Sequence, residues 1–395
     1  MIKVRIKKGT VFTVLITAIV TAVITSSVKD ILYFSDTGEL SSKMTLVTKM
    51  LKDYCIYDVD EEKMTDYALI GLTAAAEDPY TSYYPKDEFS SYKDSISSSY
   101  VGIGATLGAD LENNQLVVIS PMEDSPSEKA GLKAGDIIKS IDGTQYPAVQ
   151  LSDAATYLKT GDEGTSVVLK IERDGKEFDV TITRAKIIKI SVKSKMLGKN
   201  TGYIRITGFE RDVEGESKNT YDEFCEHLEA LKTAGMTSLV IDLRDNPGGD
   251  FDLVCKIADK LLPEGLITYT EDKNGTKKEV KSDAEWLDMP MTVLINGGSA
   301  SASEILTGAL KDNQKATVIG TKSYGKGIVQ SVFSFTDGSG MSVTTAKYYT
   351  PSGVCIHDIG IEPDIEVLPT SKKAISELSL SEDTQLQKAL EVLSR

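Results

Sequence analysis

Apolar and polar residues follow three successive patterns along this 395-residue chain. Up to about residue 95, apolar residues recur at three- and four-residue steps, as on one face of a helix. From about 100 to 185, short apolar runs alternate with glycine-containing turns, which predicts a β-rich module. From about 186 to 370, short apolar runs alternate with helical segments, which indicates βα crossovers and a largely parallel, buried sheet.

The same patterns predict individual elements. In the β-rich module we expect strands at 100–107, 116–120, 166–171 and 178–182, and a helix at 151–158. In the third part we expect strands at 202–206, 238–243, 291–295 and 317–320, helices at 220–234, 252–262 and 301–312, and a hairpin formed by 328–335 and 342–349. The last twenty residues fit a terminal amphipathic helix.

An uncharged run at 9–28 follows a short basic stretch at the start of the chain. Basic residues ahead of an apolar segment keep that end in the cytoplasm, so the remainder is expected to be exported. The run approaches the roughly 20 residues that a membrane-spanning helix needs, and no clear cleavage site follows it. We therefore expect a single-pass anchor in the cell membrane. A cleaved signal and a secreted protein are the alternative.

Charge and cysteine content exclude several partners. The net charge is −15, although no acidic residue precedes Asp30. The acidic body lacks the clustered Lys and Arg that phosphate binding needs, so nucleic acid is not an expected partner. The four cysteines are widely scattered, with no Cys-x-x-Cys and no neighbouring histidine cluster. A zinc site is therefore not expected, and no metal or cofactor is predicted.

Two segments supply candidate catalytic side chains, namely GSASASEI at 298–305 and SYGKG at 323–327. The usual base is scarce because the chain has only two histidines. His227 lies on the face of a predicted helix, and His357 follows a turn at a predicted strand edge. Neither histidine therefore lies in a stretch that is typical of a catalytic loop. A serine activated by a lysine is the arrangement that these two segments offer.

The serine-rich segment follows the predicted strand 291–295, so its hydroxyls lie at a helix start on the carboxyl side of a sheet. Substrates of open α/β sheets bind at this edge, and N–H groups at the helix start can stabilise an oxyanion. Ser299, Ser301 and Ser303 are the candidate nucleophiles. Serine at such a position also serves as a plain helix cap, which is the alternative reading.

Lys326 can act as a base only if its amine is neutral. A free lysine titrates near pH ~10.4, so burial would have to lower the pKa by roughly three units, about 4 kcal/mol. The glycines on both sides allow close approach of backbone, and Tyr324, Ile328 and Val329 supply apolar neighbours. The alternative is an exposed lysine in a glycine turn.

Two other motifs fit the lysine segment in part. Residues 320–326 match most of a Walker A loop, but Gly327 replaces the required Ser or Thr and a β-rich stretch follows. Residues 323–326 also match the Ser-x-x-Lys of penicillin-binding proteins, but Ser-Asp-Asn is absent and no predicted helix carries the motif. Neither nucleotide binding nor that enzyme class is expected.

The stretch SPSEKAGLKAGDIIKSIDG at 125–143 closely resembles the signature of a PDZ domain. Such a domain binds the end of an extended chain by adding it as a strand, here beside 103–107. The resemblance implies that backbone amides near the start of this strand capture a terminal carboxylate, at Gly102, Ile103, Gly104 and Ala105. A small β-rich module without a ligand is the alternative.

Several ordered motifs together resemble the carboxyl-terminal processing peptidases, a family of Ser/Lys serine endopeptidases that carry a PDZ domain. They are DLRDNPGG at 242–249, GSASASEI at 298–305, SYGKGIVQ at 323–330, YTPSG at 349–353 and GIEPDI at 360–365. Residues 78–83, DPYTSY, resemble the family's segment ahead of the PDZ domain. The resemblance implies an α/β fold with a ClpP/crotonase-like catalytic core, an inserted β-rich PDZ domain and an N-terminal helical region.

The resemblance also assigns roles to residues of this chain. The nucleophile falls on Ser301, the general base on Lys326, and the residue that orients the lysine on Gln330. The oxyanion hole would use the N–H of Ala302 and that of Gly248 or Gly249. Asp312 matches an acidic position with a reported role in some members, and a structural role is the alternative.

The implied organisation has five parts. They are a membrane segment at 1–30, a helical region at 36–95, a PDZ domain at 97–185, a catalytic core at 186–370 and a C-terminal helix at 371–395. The expected function is extracytoplasmic cleavage of protein substrates recognised by their free C termini. The helical region is a candidate homodimer interface. The alternatives are a membrane-tethered PDZ adaptor with an inactive hydrolase fold and a crotonase-like acyl-CoA enzyme.

Overall fold

The computed structural model describes residues 38–122, 124–212, 217–371 and 373–394. The chain forms two compact units, the first ending at Leu69 and the second beginning at Ile70. The described part of the chain begins with two helices, α1 (Gly38–Tyr54) and α2 (Glu61–Ala74), and neither contains a buried residue. The expected membrane segment lies outside the described residues. Among the described residues, no helix is both long enough and apolar enough to cross a membrane.

The second unit begins with a short strand and a helix that lead into the β-rich module. These elements are β1 (Ser82–Tyr84), α3 (Lys86–Ile96), β2 (Ser99–Gly102), β3 (Ala105–Asp110), β4 (Gln115–Pro121), α4 (Pro126–Lys129), β5 (Ile137–Ile141), α5 (Leu151–Lys159), β6 (Ser166–Arg173), β7 (Lys176–Thr183) and β8 (Ala185–Ile188). Strands β3 to β7 form one antiparallel sheet in chain order, and β2 pairs with β8 where the chain enters and leaves the module.

The prediction of one continuous strand at 100–107 was wrong, because the chain turns between β2 and β3. Gly104 adopts φ +71°, and a Cβ at this position would lie 2.4 Å from the Cβ of Ser125. Glycine is therefore required for the turn. The strand β5 was missed because its apolar residues lie inside the signature stretch. The helix predicted at 151–158 is confirmed.

The remaining elements belong to the α/β core. They are β9 (Val192–Leu197), β10 (Thr201–Ile206), α6 (Thr220–Thr233), β11 (Ser238–Asp242), α7 (Phe251–Leu261), β12 (Gly265–Asp272), β13 (Lys277–Ser282), β14 (Met291–Ile295), α8 (Ala302–Asp312), β15 (Ala316–Gly320), β16 (Ile328–Ser334), β17 (Gly340–Tyr349), β18 (Ile365–Glu366) and α9 (Thr384–Leu393).

A six-stranded sheet forms the centre of this core, in the order β18-β15-β14-β11-β10-β9. All neighbours are parallel except β9, which runs antiparallel to β10. Successive strand residues face opposite sides, so Ile241 packs toward α6, α7 and α8 whereas Val240 packs toward α9. Both faces are thus covered, as buried parallel strands require. The expected α/β fold with an inserted β-rich module is confirmed.

A second sheet joins β1, β17, β12 and β13 in that order, with β16 paired to the other side of β17. The predicted hairpin of β16 and β17 is confirmed, and its register includes Gln330 opposite Thr344. The β12–β13 hairpin was missed. At the end of the chain, α9 occupies 384–393 rather than all of 371–395, and a short 3₁₀ turn at Ile375–Glu377 precedes it.

Candidate active site

Three loops meet at one edge of the six-stranded sheet. They follow β11, β14 and β15, which are parallel neighbours, so their carboxyl ends lie side by side. The loops are residues 243–250, 296–301 and 321–327, and they contain the motifs singled out in the sequence. The backbone N–H of Ala300 donates to the carbonyl of Asn246 at 3.0 Å, and that of Tyr324 donates to the carbonyl of Ser299 at 3.0 Å.

The structure separates the three candidate serines. The hydroxyl of Ser299 donates to the carbonyl of Leu243 at 2.8 Å, and that of Ser303 donates to the carbonyl of Asn246 at 2.9 Å. Both residues are completely buried, and these bonds hold the loop after β11 against the start of α8. Ser301 is half-buried instead. Of the three, Ser301 is therefore the one placed to meet a substrate.

Ser301 lies in a tight turn. Its φ of +54° falls in the left-handed region, which costs energy for any residue with a Cβ and recurs at functional sites. Gly248 packs directly behind this turn. A Cβ at Gly248 would lie 2.8 Å from both the Cβ of Ser301 and the carbonyl oxygen of Ala300, so a larger residue would displace the turn.

Glu304 connects the serine turn with the lysine loop. One oxygen of its buried carboxylate accepts the backbone N–H of Ser301 at 2.8 Å and that of Lys326 at 2.9 Å. The other oxygen accepts the Ser323 hydroxyl at 2.5 Å and the Gly325 N–H at 2.8 Å. Four donors converge on this side chain, which suits a carboxylate because an ionised carboxyl only accepts. The two loops are therefore fixed to each other.

Lys326 is half-buried, and burial lowers the pKa of its amine, while the negative charge of Asp78 opposes this change. The amine donates to Oε1 of Gln330 at 3.2 Å. Gln330 in turn donates through Nε2 to the backbone carbonyl of Tyr80. The surroundings of the lysine thus lower the pKa of its amine, and the side chain of Gln330 accepts a hydrogen bond from it.

Of the three predicted oxyanion donors, Ala302 and Gly248 lie beside Ser301, and Gly249 lies against the backbone of Phe209. Ala302 is the first residue of α8, where backbone N–H groups have no partner within the helix. The N–H of Gly248 donates to Oδ1 of Asn246 at 2.9 Å. It would have to leave this acceptor to bind an oxyanion. Gly249 is exposed and adopts φ +140°.

A buried ion pair between Arg244 and Asp383 holds the start of the loop after β11 in place. The guanidinium of Arg244 donates to Asp383 at 2.8 Å from two nitrogens and also to Asp242. Burial disfavours the charge, but the hydrogen bonds to Asp242 and Asp383 outweigh it and raise the pKa of Arg244. Because Asp383 caps α9 by accepting the N–H of Leu386, this network links the C-terminal helix to the site loop.

Sequence reasoning gave no role to three residues at this edge, Glu304, Tyr80 and Tyr348, and set aside a fourth, His357. Glu304 had a usable signal, because Glu three residues after a helix-capping Ser is typical of a capping box. Tyr80 lies within the DPYTSY segment, whose residues had no assigned role. Tyr348 is one apolar position in an alternating strand and had no signal. His357 lies at the site edge, with its ring 6.5 Å from that of Tyr80 and its backbone against Gly327.

Two other candidates lie elsewhere. Asp312 ends α8 and accepts the backbone N–H of Ser352 at 2.9 Å, which is a structural contact. Nδ1 of His227 lies 2.8 Å from the hydroxyl of Ser194, between α6 and β9.

The predicted PDZ loop lies between β2 and β3. The carbonyl of Ile103 accepts the N–H of Ser127 at 2.9 Å, and that of Gly104 accepts the Ser127 hydroxyl at 2.5 Å. These bonds fix the loop against α4. Strand β3, which begins with Ala105, is at the edge of its sheet within the described residues. One side of β3 is therefore open to pairing with an added strand.

Comparison with known proteins agrees with this layout. Residues 200–367 match the model of peptidase family S41, and residues 101–183 match that of the PDZ domain. The carboxyl-terminal-processing protease of Synechocystis sp. (strain ATCC 27184 / PCC 6803 / Kazusa) is 37% identical over 335 residues, which cover 83% of this chain and 76% of the relative. The chain belongs to the carboxyl-terminal-processing proteases of peptidase family S41.

Other members of this S41 family are also similar. A protein of Staphylococcus aureus (strain COL), described as "Probable CtpA-like serine protease", is 37% identical over 330 residues. These residues cover 82% of this chain and 64% of that protein. The solved photosystem II D1 C-terminal processing protease is 28% identical with a TM-score of 0.53, over 89% of this chain and 90% of the other. As an S41 member with a PDZ domain, the chain is a serine-type peptidase.

Proposed function

We propose that this chain is an endopeptidase in which Ser301 is the nucleophile, Lys326 the general base and Gln330 the residue that orients the lysine. The observation that carries the proposal is the shared oxygen of Glu304. It binds the backbone N–H groups of both Ser301 and Lys326, which ties the nucleophile to its base. The half-buried amine with a lowered pKa supports the same assignment, because a base must be neutral to accept a proton.

The reaction is acyl transfer. The neutral amine of Lys326 takes the hydroxyl proton of Ser301 as the oxygen attacks a peptide carbonyl, and the ammonium then gives that proton to the leaving amine. Water attacks the resulting ester in the second half and regenerates the hydroxyl. The oxyanion of each tetrahedral intermediate is bound by the N–H of Ala302 together with that of Gly248 or Gly249.

The PDZ domain recognises the free C terminus of the protein substrate in this proposal. The open edge of β3 and the loop at Gly102, Ile103, Gly104 and Ala105 support strand addition with capture of a terminal carboxylate. Matched substrates with free and amidated C termini should therefore be cleaved at different rates. Equal cleavage of both would contradict this recognition mode.

The proposed location is extracytoplasmic, with residues 1–30 as a cell-membrane anchor or a cleaved signal. The basic flank of the uncharged run supports export. A homodimer through the helical region is supported by α1, which exposes Leu40, Met44, Val47 and Met50. Membrane fractionation tests the location, and the mass in solution of the purified helical region tests the homodimer. A protein found in the cytoplasm would refute the first proposal, and a monomer would refute the second.

The assignment of the dyad is tested with an extracytoplasmic protein mixture incubated with the wild type, Ser301→Ala and Lys326→Ala. Mass spectrometry of new termini should detect cleavage products only with the wild type. Ser303→Ala is the comparison for the choice of serine: it removes a buried hydroxyl that is bonded to the Asn246 carbonyl, so cleavage should be slower but the products should still form. Products of equal abundance with Ser301→Ala would show that the protein acts by another nucleophile.

A further inference from the structure

Tyr80 contacts the candidate base although it lies almost 250 residues away in the sequence. The amine of Lys326 lies 4.5 Å from the centre of the Tyr80 ring. An aromatic face at this distance attracts a cation and also prevents water from reaching the nitrogen on that side. This contact is formed by a residue to which neither the family comparison nor the motifs assign a role.

The backbone of Tyr80 has a second contact with the same pair of residues. Its carbonyl oxygen accepts Nε2 of Gln330 and also the hydroxyl of Ser342 at 2.9 Å. A carbonyl accepts but does not donate, so it selects the orientation in which the Gln330 NH₂ faces Tyr80. The Gln330 oxygen then faces the amine of Lys326 at 3.2 Å.

Tyr80 is itself held in place on both sides. Its N–H donates to Asp78 at 3.1 Å, and the hydroxyl of Thr81 donates to the same carboxylate at 2.6 Å. Directly afterwards, β1 pairs with β17, the partner strand of the hairpin that carries Gln330. The ring and the carbonyl are therefore fixed relative to the base rather than belonging to a free loop.

We propose that Tyr80 is a positioning residue for proton transfer at Lys326, with a ring that shields the amine from water and a carbonyl that orients Gln330. The inference rests on the proposed dyad and adds a residue to it.

Two effects of the ring act on the amine in opposite directions. Water exclusion favours the neutral form, whereas attraction by the ring face favours the ammonium. Burial lowers the pKa of Lys326, and the negative charge of Asp78 opposes this change. The titratable groups around the contact are the same for every Tyr80 variant. They are Asp78, Glu304, Tyr324, Tyr348, His357 and Asp358.

Side-chain variants separate these effects, because all of them keep the backbone carbonyl. Tyr80→Phe keeps the ring and should leave the lysine unchanged. Tyr80→Leu keeps an apolar cover but lacks the ring face, so the lysine should lose its proton at lower pH. Tyr80→Ala opens the amine to water, so deprotonation should require higher pH. A residue that only stabilises the fold would shift Leu and Ala variants in the same direction.

The titration is measured without catalysis, in the Ser301→Ala background, by the rate at which an amine-specific acylating reagent labels Lys326 across a pH series. Mass spectrometry of the peptide that contains Lys326 gives the midpoint. Tyr92→Ala is the control, since Tyr92 lies in α3 and its ring stacks on those of Tyr84 and Phe89. If Tyr80→Ala fails to fold, a lower midpoint for Leu than for Phe still supports the contact, and equal midpoints overturn it.

Activity of the same variants with Ser301 intact provides the second readout. Tyr80→Ala should lose on the order of tenfold in kcat/KM at neutral pH and recover as pH rises, since one unit changes the neutral fraction tenfold. A pH profile identical to the wild type would overturn the proposal for Tyr80 while leaving the dyad intact. If instead the proposed Ser301/Lys326 dyad were wrong, cleavage would persist in Lys326→Ala.

Discussion

Ser301 and Lys326 are bridged through their backbone carbonyl oxygens by one buried hydroxyl, that of Tyr348. The hydroxyl lies 2.9 Å from the oxygen of Ser301 and 2.7 Å from that of Lys326. Burial raises the pKa of Tyr348, so the hydroxyl keeps its proton and remains a donor. Together with Glu304, it links the two loops by both their N–H groups and their carbonyls.

Removal of this hydroxyl should therefore weaken both the fold and the site. In Tyr348→Phe the one proton shared between the two carbonyls is lost. The Ser301 carbonyl keeps the N–H groups of Glu304 and Ile305, whereas the Lys326 carbonyl loses this donor, which should lower the free energy of unfolding by about 1–3 kcal/mol. The kcat should fall more than KM changes, because the loops rather than the substrate contacts are loosened. Urea unfolding and steady-state kinetics measure both effects. Tyr349→Phe is the control, since that ring stacks on Tyr269, and an equal loss there would refute the bridge.

The carboxylate of Glu304 leads to a stronger prediction. Glu304→Gln keeps the shape but places an NH₂ group against two N–H or O–H donors, so a loss of about 3 kcal/mol in unfolding free energy is expected. Activity should fall as well, because the turn of Ser301 and the lysine loop lose their common acceptor. Denaturant unfolding and peptide cleavage test this. Glu128→Gln, at an exposed carboxylate that accepts one N–H, should change little.

The parallel core could be predicted from the sequence because its strands are short apolar runs between helical segments. Strand β14 was placed at its observed bounds for this reason, and the parallel order then brought three loops to one edge. Local patterns also located the helix starts. By contrast, the break between β2 and β3 depends on Gly104 fitting against Ser125, which is a contact between segments and leaves no periodic signal.

The catalytic candidates were recognised from motifs, but the contacts that hold them in place were not. The serine pattern alone left Ser299 and Ser303 as alternatives to Ser301, and only the family resemblance favoured Ser301; the structure bonds both other hydroxyls to backbone carbonyls. Tyr80 reaches the site because β1 pairs with β17, more than 200 residues away. Tyr348 lies on β17, which pairs with β12 and β16. Pairing of this kind is set by the packing of the whole sheet, so no window of the sequence contains it.

The ion pair between Arg244 and Asp383 should decide whether α9 stays on the sheet. Asp383→Asn keeps the cap of α9 but leaves the buried Arg244 with Asp242 as its carboxylate partner and places an amide NH₂ against a guanidinium N–H, which should cost about 1–3 kcal/mol. Early proteolytic removal of the last residues should accompany this loss. Glu391→Gln breaks an exposed pair with Lys388 on the same helix and should cost under ~1 kcal/mol. Equal stability of the two variants would contradict the anchoring role.

Lys326 should show a trade-off between activity and stability. Burial lowers the pKa of its amine below the ordinary 10.5, so between these two values the unfolded chain binds more protons than the folded one. The contribution of Lys326 to stability therefore rises with pH through this window and is least favourable below it.

Lys326→Met removes the desolvated charge and should unfold at equal or higher urea concentration than the wild type at neutral pH. Cleavage should fall by at least about 10²-fold, the smaller contribution expected of a general base. Lys322→Met, at an exposed neighbour paired with Glu362, should keep activity. A Lys326→Met protein that unfolds earlier than the wild type would show that this amine stabilises the fold instead of straining it.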